Sequence, residues 1–439
     1  MIRATVLACS LLAFTACGGG QGNNGDDDGN PTDAGNGSGS GHLDGGMLPS
    51  GVYAIPLTTP DDSFWAPKLT VGTQTFTMDL DTGSTTTGIA GSTCTNCNAA
   101  GGTLSPTYTP SSAAVDQMKT STTAYVDNSG WSGEIYKDAI SLEDGTPSAS
   151  INIVDISNQI VADMDYFFDG QNDYQGILGM GTPANAEANT GAYFQAITQA
   201  GVTPVMAFEL CPNDGTMWLG GYDTTHTSGQ IGYTAQNASD QDYYAVDLTG
   251  LSMGSAAITD TTATDFTDWV VDTGTTFFYL PTKLETGVIN ALNANANFKT
   301  LFPSTTLKDD PNGTGIGCTK TSSVTEAQVE SMLPAFTMTM KNSAGGADIT
   351  VTASPLQSYL YDQGNGQFCL GIGDGGTGAQ ADFTMGDQIM QAFVTVIDVG
   401  NNKIGWATDS HCATEPRLIR DRTTFHPHLP KPHPRRPVH

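Results

Sequence analysis

Positive charge is scarce in this sequence. Between residues 51 and 412 there are 9 lysines, no arginine and 38 acidic residues, and the whole chain of 439 residues has a formal net charge of −29 at pH 7. A surface of this kind repels phosphate backbones, so we predict that no nucleic acid is bound. An acidic surface suits a protein that works at low pH, where protonation lowers self-repulsion, but it is also typical of ordinary solubility.

Long apolar runs are also missing. The run over residues 4–16 follows Arg3 and is too short to span a membrane, so we interpret residues 1–17 as an export signal. The last four of these residues, Phe14-Thr15-Ala16-Cys17, resemble the lipobox of bacterial lipoproteins. The resemblance predicts a bacterial cell-envelope protein that touches the membrane only through a lipid on Cys17. A plain cleaved signal, followed by secretion, is the alternative.

Cysteine and histidine are few. Without Cys9 and Cys17, six of the eight cysteines remain, and an even number in an exported protein predicts three disulfides. The pair Cys94-x-x-Cys97 is also compatible with half a zinc site or a redox pair. The chain has no second Cys-x-x-Cys, and only His226 and His411 lie within the expected fold. We therefore predict neither a metal nor a cofactor.

The composition divides the chain into a fold with two flanking segments. Residues 18–50 are rich in Gly, Asn and Asp, which predicts a flexible tether, and residues 413–439 form a basic, His- and Pro-rich tail that we expect to be disordered. Between them, Thr, Ser, Gly and Val abound while helix-forming stretches are missing. This favours a mostly β protein. We expect an N-terminal lobe over 51–230 and a C-terminal lobe over 231–412.

One motif occurs twice. In residues 76–84 and 268–276 an apolar, strand-like run ends in Asp-Thr-Gly followed by a hydroxyl residue. The glycine lets the backbone turn sharply after the strand. A single Asp-Thr-Gly is a weak signal, but two copies whose aspartates, Asp81 and Asp272, are 191 residues apart indicate a duplicated lobe. Each lobe would then contribute one carboxylate.

The pattern predicts further elements around these motifs. Turn residues between flanks able to pair predict a hairpin over 122–133, and apolar spacing predicts a short helix over 189–200. Pro281 indicates the start of a second helix. A short helix after residue 385 and a hairpin over 393–407 would close the fold.

Several of these segments stand in an order typical of one family: residues 81–84, the hairpin, residues 176–179, residues 272–275, residues 385–387 and residues 394–407. Over residues 51–412 the chain therefore resembles the pepsin-type aspartic peptidases. The resemblance implies a mostly β, bilobal fold with two pseudo-symmetric lobes, an intervening cleft and one catalytic aspartate from each lobe.

The resemblance also implies roles for individual residues. Asp81 and Asp272 would share a proton and activate a water molecule between them. Tyr125 would close over the substrate as the flap residue. The residues that support the two aspartates would be Thr82, Gly83, Ser84, Thr273, Gly274 and Thr275. The implied disulfides are Cys94–Cys97, Cys318–Cys369 and Cys211–Cys412, the last being similar to a pairing in plant-type members.

Two features depart from the family pattern. Many members have a tryptophan, seven residues after the first aspartate, that hydrogen-bonds the flap tyrosine, whereas this chain has Gly88 there. Trp131 is the candidate for the missing aromatic wall. The segment from Tyr125 to Gly133 is also one residue longer than usual.

The expected function is that of a monomeric aspartic endopeptidase that cleaves polypeptides at acidic pH and binds pepstatin-type inhibitors. The segment before the fold lacks the lysines that block the cleft in pepsin-like zymogens, so we expect no inhibitory prosegment of that type. Two alternatives stay open: a catalytically inactive relative that uses the cleft for binding or inhibition, and an envelope adhesin. The two intact Asp-Thr-Gly triplets favour catalysis.

Overall fold

The computed structural model describes residues 48–60, 64–98, 104–125, 129–142, 146–160, 167–168, 174–258, 266–310, 316–377 and 383–412. The predicted signal with Cys17, all but the last three residues of the predicted tether, and the predicted tail lie outside these residues. Among the described helices, none has the length and apolar character needed to cross a membrane.

The chain is mostly β, as its composition predicts. The first half contains strands β1 (Tyr53–Thr58), β2 (Lys68–Val71), β3 (Gln74–Asp81), β4 (Gly88–Ala90), β5 (Val115–Ala124), β6 (Gly130–Leu142), β7 (Ser148–Ile160), β8 (Gly176–Gly179), β9 (Val205–Leu210) and β10 (Asp214–Leu219), with helix α1 (Tyr193–Gln199).

The second half has more and shorter strands. They are β11 (Thr227–Ala235), β12 (Ala245–Val246), β13 (Leu248–Met253), β14 (Ala256–Ala257), β15 (Trp269–Val271), β16 (Phe278–Leu280), β17 (Phe336–Met340), β18 (Ile349–Ala353), β19 (Leu360–Gly364), β20 (Gln367–Leu370), β21 (Ile372–Asp374), β22 (Thr384–Met385), β23 (Phe393–Asp398) and β24 (Lys403–Asp409). Its helices are α2 (Thr282–Ala294), α3 (Ala296–Leu301), α4 (Glu326–Met332) and α5 (Asp387–Met390).

The elements predicted from local patterns form. Strands β5 and β6 pair as an antiparallel hairpin, although its turn at residues 126–128 lies outside the described residues. Helix α1 buries Tyr193, Phe194 and Ile197, and it begins four residues later than the predicted segment. Helix α2 follows Pro281 directly. The closing hairpin consists of β23 and β24.

The two Asp-Thr-Gly strands occupy equivalent positions in two sheets. In the first half, β3 pairs in parallel with β8, β8 pairs antiparallel with β4, and β4 pairs in parallel with β7. In the second half, β15, β22, β16 and β21 repeat this order and these directions. The same topology in both halves shows that the duplication extends from the motif to the strands around it.

A six-stranded sheet joins the halves, in the order β1-β10-β9-β23-β24-β11. Its central pairing is between β9 and β23, with Phe208 opposite Thr395. The hydrophobic core is also continuous through residues of both halves. The lobe boundary that we predict between residues 230 and 231 falls within β11, one of the strands of this shared sheet. The division into lobes therefore stays a proposal.

Candidate active site

Asp81 is the last residue of β3, and its carboxylate is surrounded by donors. Its Oδ1 accepts hydrogen bonds from the backbone N–H groups of Gly83 at 2.7 Å and Ser84 at 2.9 Å. Its Oδ2 accepts a very short hydrogen bond from the hydroxyl of Ser84. The side chain is nearly fully buried. These bonds fix the carboxylate in one orientation.

Asp272 follows β15 and has matching contacts. Its Oδ1 accepts from the N–H of Gly274 at 2.8 Å, and its Oδ2 accepts from the hydroxyl of Thr275 at 2.7 Å. Its Oδ1 also accepts from the N–H of Gly83 at 2.9 Å. This N–H is therefore shared between the two aspartates, although they lie far apart in the chain. The shared donor places the two carboxylates side by side.

The glycine of each motif makes room for the carboxylate of the other half. A Cβ on Gly83 would lie 2.5 Å from Cγ of Asp272, and a Cβ on Gly274 would lie 2.7 Å from Cγ of Asp81. Real Cβ atoms essentially never approach another heavy atom so closely. Hence the third residue of the motif must lack a side chain because the opposite aspartate occupies that space.

The two threonines of the motifs connect the halves reciprocally. Each backbone N–H donates to the hydroxyl of the other threonine, at 3.1 Å from Thr82 and 3.0 Å from Thr273. Each hydroxyl in turn donates across the interface, from Thr82 to the carbonyl of Val271 and from Thr273 to that of Leu80. Both threonines are completely buried. Four hydrogen bonds thus hold the two loops in register where water cannot replace them.

A third carboxyl group lies close to the pair. Asp387, at the start of α5, is about 1% exposed, and neither of its carboxylate oxygens has a hydrogen-bond partner. Burial raises its pKa well above the usual value, and the negative charges of Asp79, Asp272 and Asp81 raise it further. In the sequence, Asp387 is distinguished only as part of a family marker, residues 385–387. Its position directly after a buried strand and a glycine is the signal that would have indicated it.

The predicted flap tyrosine lies at the end of β5. The Nε1–H of Trp131 donates to the hydroxyl of Tyr125 at 3.0 Å, and the ring of Phe167 stacks on Tyr125 with centroids 5.4 Å apart. The Trp131 ring also lies over Gly88, where a Cβ would meet its Cζ2 at 3.2 Å. The indole therefore occupies the space that a side chain at residue 88 would need, and it reaches Tyr125 from its own hairpin.

The six cysteines of the fold form three disulfides: Cys94–Cys97, Cys211–Cys412 and Cys318–Cys369. These are the pairs that the family resemblance implies. In the oxidised chain Cys94 and Cys97 are consequently not available as zinc ligands.

Two buried carboxylates with a shared donor can divide the tasks of acid–base chemistry. Like charges so close together resist ionising at the same time, so the pair tends to hold one proton over an acidic range of pH. The ionised member can take a proton from water, while the protonated member can donate one to a carbonyl oxygen. This chemistry suits hydrolysis of an amide by water.

Comparison with known proteins agrees with the geometry. Residues 65–409 match the family described as "Eukaryotic aspartyl protease". An aspartic protease of Phaffia rhodozyma is 29% identical over 350 residues, which cover 79% of this chain and 76% of the relative. Mucorpepsin of Rhizomucor miehei is 25% identical over 389 residues, covering 83% and 81%. Endothiapepsin of Cryphonectria parasitica is 29% identical over 235 residues, or 52% of either chain.

Proposed function

Because this chain belongs to the aspartyl protease family and is an aspartic endopeptidase, we propose that Asp81 and Asp272 are its catalytic pair. The observation that carries the assignment is the single N–H of Gly83 donating to both carboxylates. It supports a pair that acts as one unit on one water molecule.

In the proposed reaction, the water lies between the two carboxyl groups. The ionised aspartate removes its proton as the water attacks the scissile carbonyl, and the protonated aspartate donates to the carbonyl oxygen. As the tetrahedral intermediate collapses, the aspartate that took the water proton donates it to the leaving nitrogen, and the other aspartate takes a proton from the hydroxyl of the intermediate, which restores the pair. Ser84 and Thr275 hold the outer carboxylate oxygens throughout, and the reciprocal bonds of Thr82 and Thr273 keep the two loops from separating.

Tyr125 is proposed as the residue that closes over the bound peptide. Its hydroxyl is held by Trp131 and its ring by Phe167, so its side chain is already oriented before substrate arrives. An oriented flap residue excludes water from the reacting bond at little cost in conformational entropy.

The test is hydrolysis of casein or haemoglobin between pH 3 and 5, with and without pepstatin. Replacing Asp81 or Asp272 with asparagine should lower kcat by about 100- to 10,000-fold, because it removes the acid–base pair. Asp348→Asn is the matched control, since that carboxylate pairs with Lys341 at the surface. Full activity in Asp81→Asn would refute the assignment. Pepstatin binding without any hydrolysis by the natural chain would instead indicate an inactive relative.

Export and lipid attachment are proposals that rest on residues 1–17 alone. The matching family is described as eukaryotic, and the relatives named above give no support to a bacterial lipoprotein. Metabolic labelling with a fatty acid tests the anchor: label on the natural chain and none on Cys17→Ala would support it. A monomeric state is likewise proposed, and light scattering of the purified chain would test it.

A further inference from the structure

Three polar residues from distant parts of the chain meet at one end of the six-stranded sheet. Glu209 lies near the end of β9, His226 directly precedes β11, and His411 follows β24. The pairing explains why they meet: Thr227 at the start of β11 lies opposite Asp409 at the end of β24, and β9 ends on the same side because β23 is antiparallel to both β9 and β24.

The imidazoles of His226 and His411 both approach Oε2 of Glu209. Nδ1 of His226 lies 2.9 Å and 2.8 Å from the two Glu209 oxygens, and Nδ1 of His411 lies 3.6 Å from Oε2. The centroids of the two imidazole rings are 4.8 Å apart. The Glu209 side chain is 1% exposed, whereas those of His226 and His411 are 16% and 33% exposed. The carboxylate is thus buried beneath two rings that solvent can reach.

We propose that Glu209, His226 and His411 form a binding site for a divalent transition-metal ion of the zinc class. Zinc binds histidine nitrogen and carboxylate oxygen at about 2.0–2.2 Å, so adjacent ligand atoms in a tetrahedral site lie roughly 3.3 Å apart. The separations of 2.8 Å and 3.6 Å from Oε2 lie on either side of this value. To reach this spacing, each partly exposed ring would have to move by roughly half an ångström relative to Oε2.

A second buried carboxylate supports a cation at this place. Asp409 is 6% exposed, and its Oδ1 accepts hydrogen bonds from the N–H groups of His411 and Cys412. A divalent ion would offset the negative charge of the two buried carboxylates, Glu209 and Asp409.

The neighbouring cysteines do not belong to the ligand set. Sγ of Cys211 lies 3.8 Å from Nδ1 of His411, and the ligand atoms of Glu209, Cys211, His411 and Cys412 all lie within 4.8 Å of one another. The two sulfurs are joined in a disulfide, so neither is the thiolate that zinc requires. Together with this disulfide, the ion would tie the end of β9 to the end of the fold. The inference is independent of the proposed catalytic function.

The test is zinc binding by the full oxidised chain at pH 7 with pepstatin present, measured by calorimetry and by thermal unfolding. Saturating zinc should raise Tm by about 3–5 °C. His411→Gln keeps a polar, partly exposed side chain and should weaken this binding at least about tenfold. Cobalt should give a visible d–d absorption in the natural chain that is lost in His411→Gln.

The tail provides the matched control because it contains four further histidines. A variant with His426 and His428 both replaced by glutamine should bind at the cluster as tightly as the natural chain. The proposal is overturned if His411→Gln binds zinc with the same stoichiometry and affinity as the natural chain, or if zinc leaves Tm unchanged. Either result would mean that the cluster is a set of hydrogen bonds without affinity for metal.

Discussion

Replacing Gly83 with alanine should displace the opposite aspartate without straining the backbone locally. The new Cβ would lie 2.5 Å from Cγ and 2.6 Å from Oδ1 of Asp272, whereas ordinary van der Waals contact begins at 3.4 Å. The carboxylate would therefore have to recede by about 1 Å. A displacement of this size in a reacting group can lower the rate about 100-fold, which corresponds to about 2.7 kcal/mol in the activation free energy.

The assay is kcat/KM for a peptide substrate near the pH optimum, with Tm measured on the same preparations. Gly274→Ala is the reciprocal variant, because its Cβ would lie 2.7 Å from Cγ of Asp81, and it should lose activity to a similar extent. Gly250→Ala is the control, since the nearest atom to its Cβ would be a Thr339 carbon at 4.0 Å. If folded Gly83→Ala retained kcat/KM within threefold of the natural chain, the close packing of the two halves would be refuted.

Three other predictions concern the surroundings of the pair. Thr82→Val leaves two buried backbone groups unpaired and should destabilise the fold by about 2–4 kcal/mol. Thr82→Ser keeps the hydroxyl and should retain most of the stability. Equal denaturation midpoints for the two variants would argue against a stabilising role of these hydrogen bonds. Trp131→Phe and Tyr125→Phe each remove the hydrogen bond between these two side chains, and each should lower kcat/KM about fivefold. If the losses were additive in the double variant, the two residues would not act through this hydrogen bond. The raised pKa of Asp387 favours the folded state below pH 3.8, and this advantage is lost as pH rises through the raised pKa. The fall in Tm between pH 3.5 and pH 7 should therefore be smaller in Asp387→Asn, and an unchanged fall would show that folding does not raise the pKa of this carboxyl.

Local patterns predict the elements that carry the proposed catalytic residues. Phe76, Met78 and Leu80 alternate along β3 and are buried, as expected of a strand that ends at Asp81. The hairpin of β5 and β6 and the helix after Pro281 follow from turn residues and apolar spacing in the same way. These features are readable because they depend on neighbours only a few residues apart.

The sequence is a poorer guide when a side chain from a distant position fills the space of a missing one. The sequence has Gly88 where many family members have a tryptophan, and it offers Trp131 only as a candidate replacement. The structure places the Trp131 indole over Gly88 and hydrogen-bonds it to Tyr125. The burial of Asp387 is equally hard to predict from the sequence, because a polar residue after a strand is usually expected to be solvated. In each case the outcome depends on which surfaces pack against each other.

The sequence by itself determined that the chain is rich in β structure and that two similar strands each end in Asp-Thr-Gly. Both features depend on hydrophobic alternation and glycine turns, which act within single segments. Only the tertiary structure decided that one N–H serves both aspartates, since Gly83 and Asp272 lie 189 residues apart in the chain. It also decided that Glu209 meets two histidines at the end of a shared sheet. Contacts of this kind arise when separate segments pack in one register, and no periodicity within a segment specifies which distant group will face it.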